Sequence, residues 1–152
     1  KWLEDFGMKI IFFPHRNMQR FLDYFVTSSK NITIADWKEF DVQTLLKESA
    51  FLITDYSSIF NDFAYMRKPM LYYQFDYQKF REGQYGEGYF SFERDGFGPV
   101  CYSHEELKKQ LKQAIDNSLK NPEIYQKREE DFFSLWDNKN CERNYEEIKK
   151  IL

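Results

Sequence analysis

Apolar and polar positions along the chain fall into short apolar runs separated by longer, spaced stripes. Met8 to Phe13 (MKIIFF) is nearly all apolar, the pattern of a strand buried on both faces, and Pro14 ends it. From Arg16 to Ser28 the apolar positions Met18, Phe21, Leu22 and Phe25 follow helical spacing. Ile32 to Trp37 (ITIADW) reads as a second strand, and Asp41 is placed to cap a helix carrying Val42, Leu45, Leu46 and Ala50. Phe51 to Thr54 (FLIT) is a third strand, followed at once by Asp55-Tyr56-Ser57-Ser58 and an apolar helix from Ile59 to Met66. Pro69 to Phe75 (PMLYYQF) is a fourth. This β-α-β-α-β-α-β order predicts an α/β fold, a Rossmann-like, doubly wound parallel sheet with flanking helices.

Residues 77–99 interrupt the rhythm. Five of the six glycines lie between Gly83 and Gly98, Gly86 among them, interleaved with Tyr85, Tyr89, Phe90, Phe92 and Phe97. So long a loop in a compact domain is functional or disordered, and its aromatic content predicts an ordered, packed one. Val100 to Tyr102 reads as one more short strand. The remainder is helical. Ser103 and Glu106 form a capping-box pattern, and Leu107, Leu111, Ala114, Ile115 and Leu119 line one stripe. Asn121-Pro122 stops that helix and starts the next, with Pro at the first helical position. Ile124, Phe132, Phe133, Leu135 and Trp136 continue the apolar content, and Tyr145, Ile148, Ile151 and Leu152 close it.

Composition narrows the classes. The 22 basic and 25 acidic side chains give a net charge of −3, against the basic excess of a nucleic-acid binder. No apolar run approaches the roughly 20 residues of a membrane span, and there is no signal-peptide pattern. Cys101 and Cys141 lack metal-type spacing and are expected as reduced thiols of a cytoplasmic protein. Phe and Tyr are abundant, 16 and 11 of 152 residues, so aromatic packing is expected both in the core and along a cleft or covered face. Lys1-Trp2-Leu3-Glu4 resembles the end of a helix, and the chain is expected to be one nucleotide-binding domain, residues 1–152, of a larger two-domain enzyme.

In an open parallel sheet, ligands bind beyond the carboxyl ends of the strands. Three segments fall there: Pro14-His15-Arg16, Ala35-Asp36-Trp37 and Asp55-Tyr56-Ser57-Ser58. Ser57 and Ser58 at a helix start offer hydroxyls and backbone N–H groups to an anion, or else one of them is simply an N-cap. His15 is either a phosphate contact or acid/base group, or a hydrogen-bonded structural histidine. His104, on the first turn of a capped helix, is expected to be exposed and without a role. No GxGxxG or Walker-type glycine pattern is present, and no metal cluster.

These residues together resemble the C-terminal part of the CDP-glycerol glycerophosphotransferase family, whose members build glycerol-phosphate polymers such as teichoic acids. The stretch LITDYSSIFNDFAYMRKPMLYY, residues 52–73, carries most of the resemblance. Phe75-Asp76-Tyr77 leading to Gly88-Tyr89-Phe90 and Gly98-Pro99-Val100 adds to it, as do the histidine after the first strand and Phe132-Phe133 through Arg143. The resemblance implies the C-terminal half of a GT-B fold, which holds the nucleotide donor. It places the nucleotide and phosphate contacts on Asp55, Ser57, Ser58 and Arg143, with His15 the candidate catalytic residue. It also implies a CDP-glycerol donor with no further cofactor, a lipid-linked or polymer acceptor, and work at the inner face of the plasma membrane. A further family histidine and the acceptor site would lie in an N-terminal half, so the chain alone is expected to bind donor without turning it over. Two positions depart from the family pattern: Arg16 follows His15 where relatives carry Pro, and Cys141-Glu142-Arg143 stands in place of Ser-Glu-Arg. The same fold and anion site would suit a sugar-nucleotide glycosyltransferase or epimerase, or a nucleotide-binding module without chemistry.

Overall fold

The computed structural model describes residues 4–83 and 88–151; Lys1, Trp2, Leu3, Tyr85, Gly86 and Leu152, named above, lie outside the described residues. The chain folds into two compact units, Lys1–Ser49 and Ala50–Leu152.

The first unit runs from a short 3-10 helix, Glu4–Phe6, into strand β1 (Ile10–Phe12), a 3-10 helix (Arg16–Tyr24), β2 (Ile32–Ile34) and helix α1 (Val42–Glu48). β1 and β2 pair in parallel, Ile10 opposite Ile32 and Phe12 opposite Ile34. Two expectations are corrected here. MKIIFF is not buried on both faces: Ile11 is 44% and Phe12 42% exposed, because a two-stranded sheet consists only of edge strands. The helix after it has 3-10 geometry with a kink at Phe21 (φ −116°, ψ 21°). At three residues per turn the 18/21/22/25 stripe does not gather on one face. Met18 and Phe21 stay exposed, and the buried side chain is Gln19. Asp41 caps α1 as expected, its Oδ2 accepting from the Thr44 N–H and hydroxyl at 2.8 Å each. The Thr44 backbone bond is the main reason its carboxyl titrates below the ordinary aspartate range.

The second unit contains β3 (Leu52–Thr54), α2 (Ile59–Tyr65), β4 (Met70–Tyr73), α3 (Tyr77–Gly83), α4 (Phe92–Asp95), β5 (Val100–Cys101), α5 (His104–Asp116), α6 (Glu123–Phe132) and α7 (Asn140–Lys149). Its sheet has the order β3-β4-β5, all parallel, with Leu52 opposite Met70 and Tyr72 opposite Val100. The helix-strand alternation is as the sequence predicts, but the five strands hydrogen-bond into two sheets rather than one. Strands of two to four residues offer few ladder bonds, and apolar rhythm does not encode where a ladder breaks. The central strand β4 is buried on both faces: Met70, Leu71 and Tyr72 are each 2% exposed or less.

The core of this unit is aromatic. Phe60 on α2 meets the rings of Tyr72, Phe90, Phe92 and Phe97 at centroid separations of 5.5–5.9 Å. Phe97 in turn contacts Phe132 and Phe133 at 5.4 and 5.8 Å. These contacts pack Phe90, Phe92 and Phe97 of the segment expected as a loop, whose described residues carry α3 and α4. Gly98 lets that segment lie against β4, since a Cβ there would stand 2.2 Å from the Met70 carbonyl oxygen. Next to it, the Pro99 carbonyl accepts from the Tyr72 N–H at 2.9 Å.

The helical tail differs from expectation in two details. Ser103 Oγ caps α5 by accepting from the Glu106 N–H, but the Glu106 carboxylate accepts from the N–H of Tyr102, not Ser103. Pro122 occupies the N-cap of α6, with Glu123 the first helical residue. Cys101 is buried, which raises its thiol to about 11, whereas Cys141 is exposed, and both are free.

Glu129 on α6 is 1% exposed. Its Oε1 accepts from the Asn121 side chain at 2.8 Å, while Oε2 has no partner among the described residues. Burial pushes its carboxyl up from 4.5 to about 7, against the opposing pull of Asn121 and Arg67. The folded state therefore holds this proton more tightly than the unfolded chain does. Stability should fall as pH rises from 4.5 through about 7 and be flat above that. In urea titrations across this window, Glu129→Gln should remove that slope. Gly98→Ala should cost about 1–3 kcal/mol in the same assay, the typical range for forcing a methyl group into filled space.

Candidate functional site

The β3–α2 connection, Asp55-Tyr56-Ser57-Ser58, is anchored from below and turned outward above. Gln74, 1% exposed just past β4, donates from Nε2 to the Asp55 carbonyl at 3.3 Å. The Tyr56 ring stacks on Phe80 of α3 at 3.6 Å with the planes 1° apart, and its hydroxyl donates to Asp76 at 3.1 Å. Burial, then the Asp76 bond and charge, pushes the Tyr56 phenol well above its ordinary value, so it remains a donor. Beside the pinned Tyr56, Asp55 and Ser58 are exposed and Ser57 is half-buried.

Asp55 is exposed but turned onto its own loop. One oxygen, Oδ1, accepts from the N–H of Tyr56 at 2.7 Å and of Ser57 at 3.0 Å. This turn orients the backbone into α2. Ser58 sits at the N-cap position with helical dihedrals (φ −62°, ψ −7°) and makes no side-chain cap bond. Helical ψ at an N-cap turns the hydroxyl away from the N–H groups of the first turn, which capping through an extended residue would reach. Among the described residues, the hydroxyls of Ser57 and Ser58 and the backbone N–H groups of Ser58 and Ile59 have no hydrogen-bond partner. Four donors, two of them able to rotate, are thus available to an anion.

His15 lies in the first unit, exposed, immediately after the buried Pro14. Its Nδ1 accepts from the Asn17 N–H at 3.3 Å, so it caps the 3-10 helix that Arg16 begins. Its Nε2 has no partner among the described residues. Arg16 occupies the first helical position, where a Pro would be equally at home because the N–H there lacks a helical acceptor. Arg143, on α7, is engaged elsewhere: its guanidinium forks onto the Asp137 carboxylate at 3.0 and 3.1 Å and also bonds Asn140. The Asp137 carbonyl in turn accepts from the Tyr65 hydroxyl at 3.0 Å. No hydrogen bond or ion pair among the described residues links Arg143 to Asp55, Ser57 or Ser58. His104 is exposed on the first turn of α5.

Three residues that shape the strand ends are absent from the sequence-level candidates: Gln19, Gln74 and Asp76. The available signal was polarity out of place. Gln74 directly follows an apolar strand, and Gln19 sits among apolar positions of its helix, and a buried amide must find backbone partners.

The chain matches the protein family described as CDP-Glycerol:Poly(glycerophosphate) glycerophosphotransferase over residues 3–150. It is 32% identical over 143 residues to the minor teichoic acid biosynthesis protein GgaB of Bacillus subtilis (strain 168), covering 94% of this chain and 15% of that protein. It is 39% identical over 82 residues to the teichoic acid poly(glycerol phosphate) polymerase of the same strain, covering 54% of this chain and 11% of that one. Against the teichoic acid glycerol-phosphate transferase of Staphylococcus aureus (strain NCTC 8325 / PS 47) the identity is 30% over 114 residues, 72% of this chain and 28% of the relative. A solved structure of the wall teichoic acid polymerase TagF, a histidine-to-alanine variant, superposes with a TM-score of 0.69 at 25% identity. That match covers 93% of this chain and 34% of the other. The chain thus spans about a third or less of the length of each of these relatives.

The cap geometry makes the serine N-caps Ser58 and Ser103 separable. Ser103→Ala should cost about 0.5–2 kcal/mol in chemical denaturation, the ordinary loss of a capping hydroxyl. Ser58→Ala should change stability by no more than about 0.5 kcal/mol, since no cap bond is removed.

Proposed function

Because the chain belongs to the CDP-glycerol:poly(glycerophosphate) glycerophosphotransferase family, with the GT-B-like fold of TagF, we propose that it is the donor-binding part of a transferase moving glycerol phosphate from CDP-glycerol to an acceptor hydroxyl. The observation that carries the reading is the outward-turned Ser57-Ser58 segment, with its unpartnered hydroxyls and N–H groups, inside the stretch most like the family.

In this reaction the acceptor oxygen attacks the phosphorus that bears glycerol. The bond from that phosphorus to the bridging oxygen breaks, and CMP leaves with the bridging oxygen while the acceptor proton passes to a base. Positioning and charge stabilisation supply most of such catalysis. The Ser57 and Ser58 hydroxyls, with the backbone N–H groups of Ser58 and Ile59, hold the pyrophosphate; the two N–H groups, fixed before the ligand arrives, need no reorganisation when charge builds on the leaving phosphate. Asp55 serves by holding the loop in that shape, with its carboxylate committed to two backbone N–H groups. His15, with Nε2 available, neutralises charge on the departing phosphate. Arg143 would have to leave Asp137 to reach a phosphate, and is the weakest contact of the set.

The acceptor in this reading is a lipid-linked or polymer hydroxyl, met at the inner face of the plasma membrane. No helix among the described residues is long and apolar enough to cross a membrane.

Two measurements test the reading. Calorimetric titration with cytidine, CMP and CDP should show Ser57→Ala/Ser58→Ala weakening CDP by about tenfold or more, the scale of a hydrogen bond to a charged group, and cytidine by less than about twofold. Equal losses for all three ligands, or none, would sink the pyrophosphate assignment, and tighter binding of UDP-sugars than of CDP-glycerol would redirect the donor class. In an active transferase carrying this chain, His15→Ala should cut turnover strongly with little change in Tm. Unchanged turnover would leave His15 as a helix cap alone.

A further inference from the structure

Asn121 and Glu129 line a cleft of about 330 Å³ within the second unit, between the turn before β4 and the connection from α5 to α6. Asn121 stands on that connection and Glu129 on α6. The bond from Asn121 Nδ2 to Glu129 Oε1, at 2.8 Å, therefore ties the connection to the helix. Gln126 Nε2 donates to the Asn121 carbonyl at 2.6 Å and holds the backbone there against the same helix. The chain leading into this tie is strained. Ser118 and Leu119 lie at φ 56° and 55°, the left-handed region that L side chains rarely adopt.

The bond leaves one atom over on each side. Glu129 Oε2 and Asn121 Oδ1 are both buried and without a hydrogen-bond partner among the described residues. Both are acceptors while the carboxyl is ionised, and two unpaired buried acceptors are costly. A carboxylic acid also carries a donor, so an acid and a primary amide joined along one edge can close a second bond along the other. One proton then satisfies both atoms. The neighbouring charges leave room for it. Arg67, in the turn before β4, favours the carboxylate, but its guanidinium stacks on the Trp136 ring at 4.3 Å. Burial and Glu130, next along α6, favour the acid. Lys120 lines the cleft and forms no ion pair with Glu129 among the described residues. On β4 the Tyr72 phenol feels the Glu129 charge, but burial above all pushes it well above its ordinary value, so it stays neutral. Arg128 of α6 is turned to the Gly96 carbonyl at 2.8 Å.

We propose that Glu129 is held as the neutral acid and donates its Oε2 hydrogen to Asn121 Oδ1, closing a two-bond clasp between α6 and the α5–α6 connection that opens when the proton is lost. The proton leaves to water. The carboxylate that remains sets Oε2 against Oδ1, two acceptors that repel. The strained connection is then released from α6, and the carboxylate becomes a partner for Arg67 or Lys120 across the cleft. Because burial raises the carboxyl to about 7, the clasp is closed below that pH and open above it.

The test is a carboxyl-carbon NMR titration of the chain, with the Glu129 signal identified by its loss in Glu129→Gln. Its midpoint should lie at about 7 in the wild type. Asn121→Leu, similar in shape but without polar atoms, should lower that midpoint by about half a pH unit or more, because the acid form loses more bonding than the carboxylate does. If Asn121 only donated to a carboxylate, the same change would raise the midpoint, so a rise or no change overturns the proposal. Hydrogen exchange reads the opening itself. The N–H groups of Ser118, Leu119 and Lys120 bond the carbonyls of Ile115, Ala114 and Asn117. Their protection should fall about tenfold or more as pH rises through the midpoint, the scale set by losing one to two net hydrogen bonds. Glu129→Gln, whose amide nitrogen replaces the acid hydrogen, should keep protection high at every pH, and Glu129→Leu should lack it at every pH. Wild-type protection that ignores pH, or equal protection in the Gln and Leu variants, overturns the clasp. Neither Asn121 nor Glu129 enters the donor reading, so the outcome is independent of it.

Discussion

The packing of one ring, Phe60, fixes most of the larger unit. It projects from the first turn of α2 into Tyr72 of the central strand and into Phe90, Phe92 and Phe97 of the segment that follows α3. Phe97 then passes the contact to Phe132 and Phe133 at the end of α6. Edge-to-face ring pairs add specificity to the large apolar area they bury. Here the chain of rings ties a helix, a strand, a glycine-rich segment and the helical tail to one centre. The β3–α2 loop inherits its position from that anchorage, since Ser57 and Ser58 lie just before Phe60. A polar, outward-facing loop needs such an apolar foundation, because its own hydrogen bonds to water contribute nothing to where it stands.

Much of this was legible in the sequence, for physical reasons that can be named. α2 and β4 were readable because their apolar residues are buried within the unit, so periodicity and burial coincide. The Asp41 and Ser103 caps were readable because capping is local. The helix after β1 was misread as α-helical, because Met18 and Phe21 stay exposed and its buried position is taken by Gln19, whose partners lie 5 and 16 residues away. The same holds for the loop anchors Gln74 and Asp76, about 20 residues from the residues they bond. At the candidate site, the sequence singled out Asp55, Ser57 and Ser58. It could not reveal that Ser58 stands at a helix start without capping it, which depends on a backbone dihedral. Nor could it reveal that Arg143 is held by Asp137, six residues earlier, across the break between α6 and α7.

Both units meet the same structural problem in the same way. At each set of strand ends, a buried glutamine bonds the backbone of a loop that leaves a neighbouring strand: Gln19 to Pro14 and Ala35, and Gln74 to Asp55. A glutamine suits the task because it is neutral, and burying a charge there would cost far more; Gln19 uses both its donor and its acceptor, whereas Gln74 holds its loop by the donor alone. The loops are thereby held without adding charge, and the electrostatics of the strand ends are left to the residues that face outward.

The Gln19 staple also bears on the chemical ageing of the protein. Hydrolysis of its side-chain amide would exchange the donating nitrogen for a carboxylate oxygen, facing two carbonyl oxygens that now lie 2.9 and 3.3 Å away. Attraction would become repulsion at the point where the two loops are joined, and the staple would act as a wedge. Near-complete burial withholds the water such hydrolysis needs, so the same packing that makes Gln19 indispensable to the loops also protects it from decay.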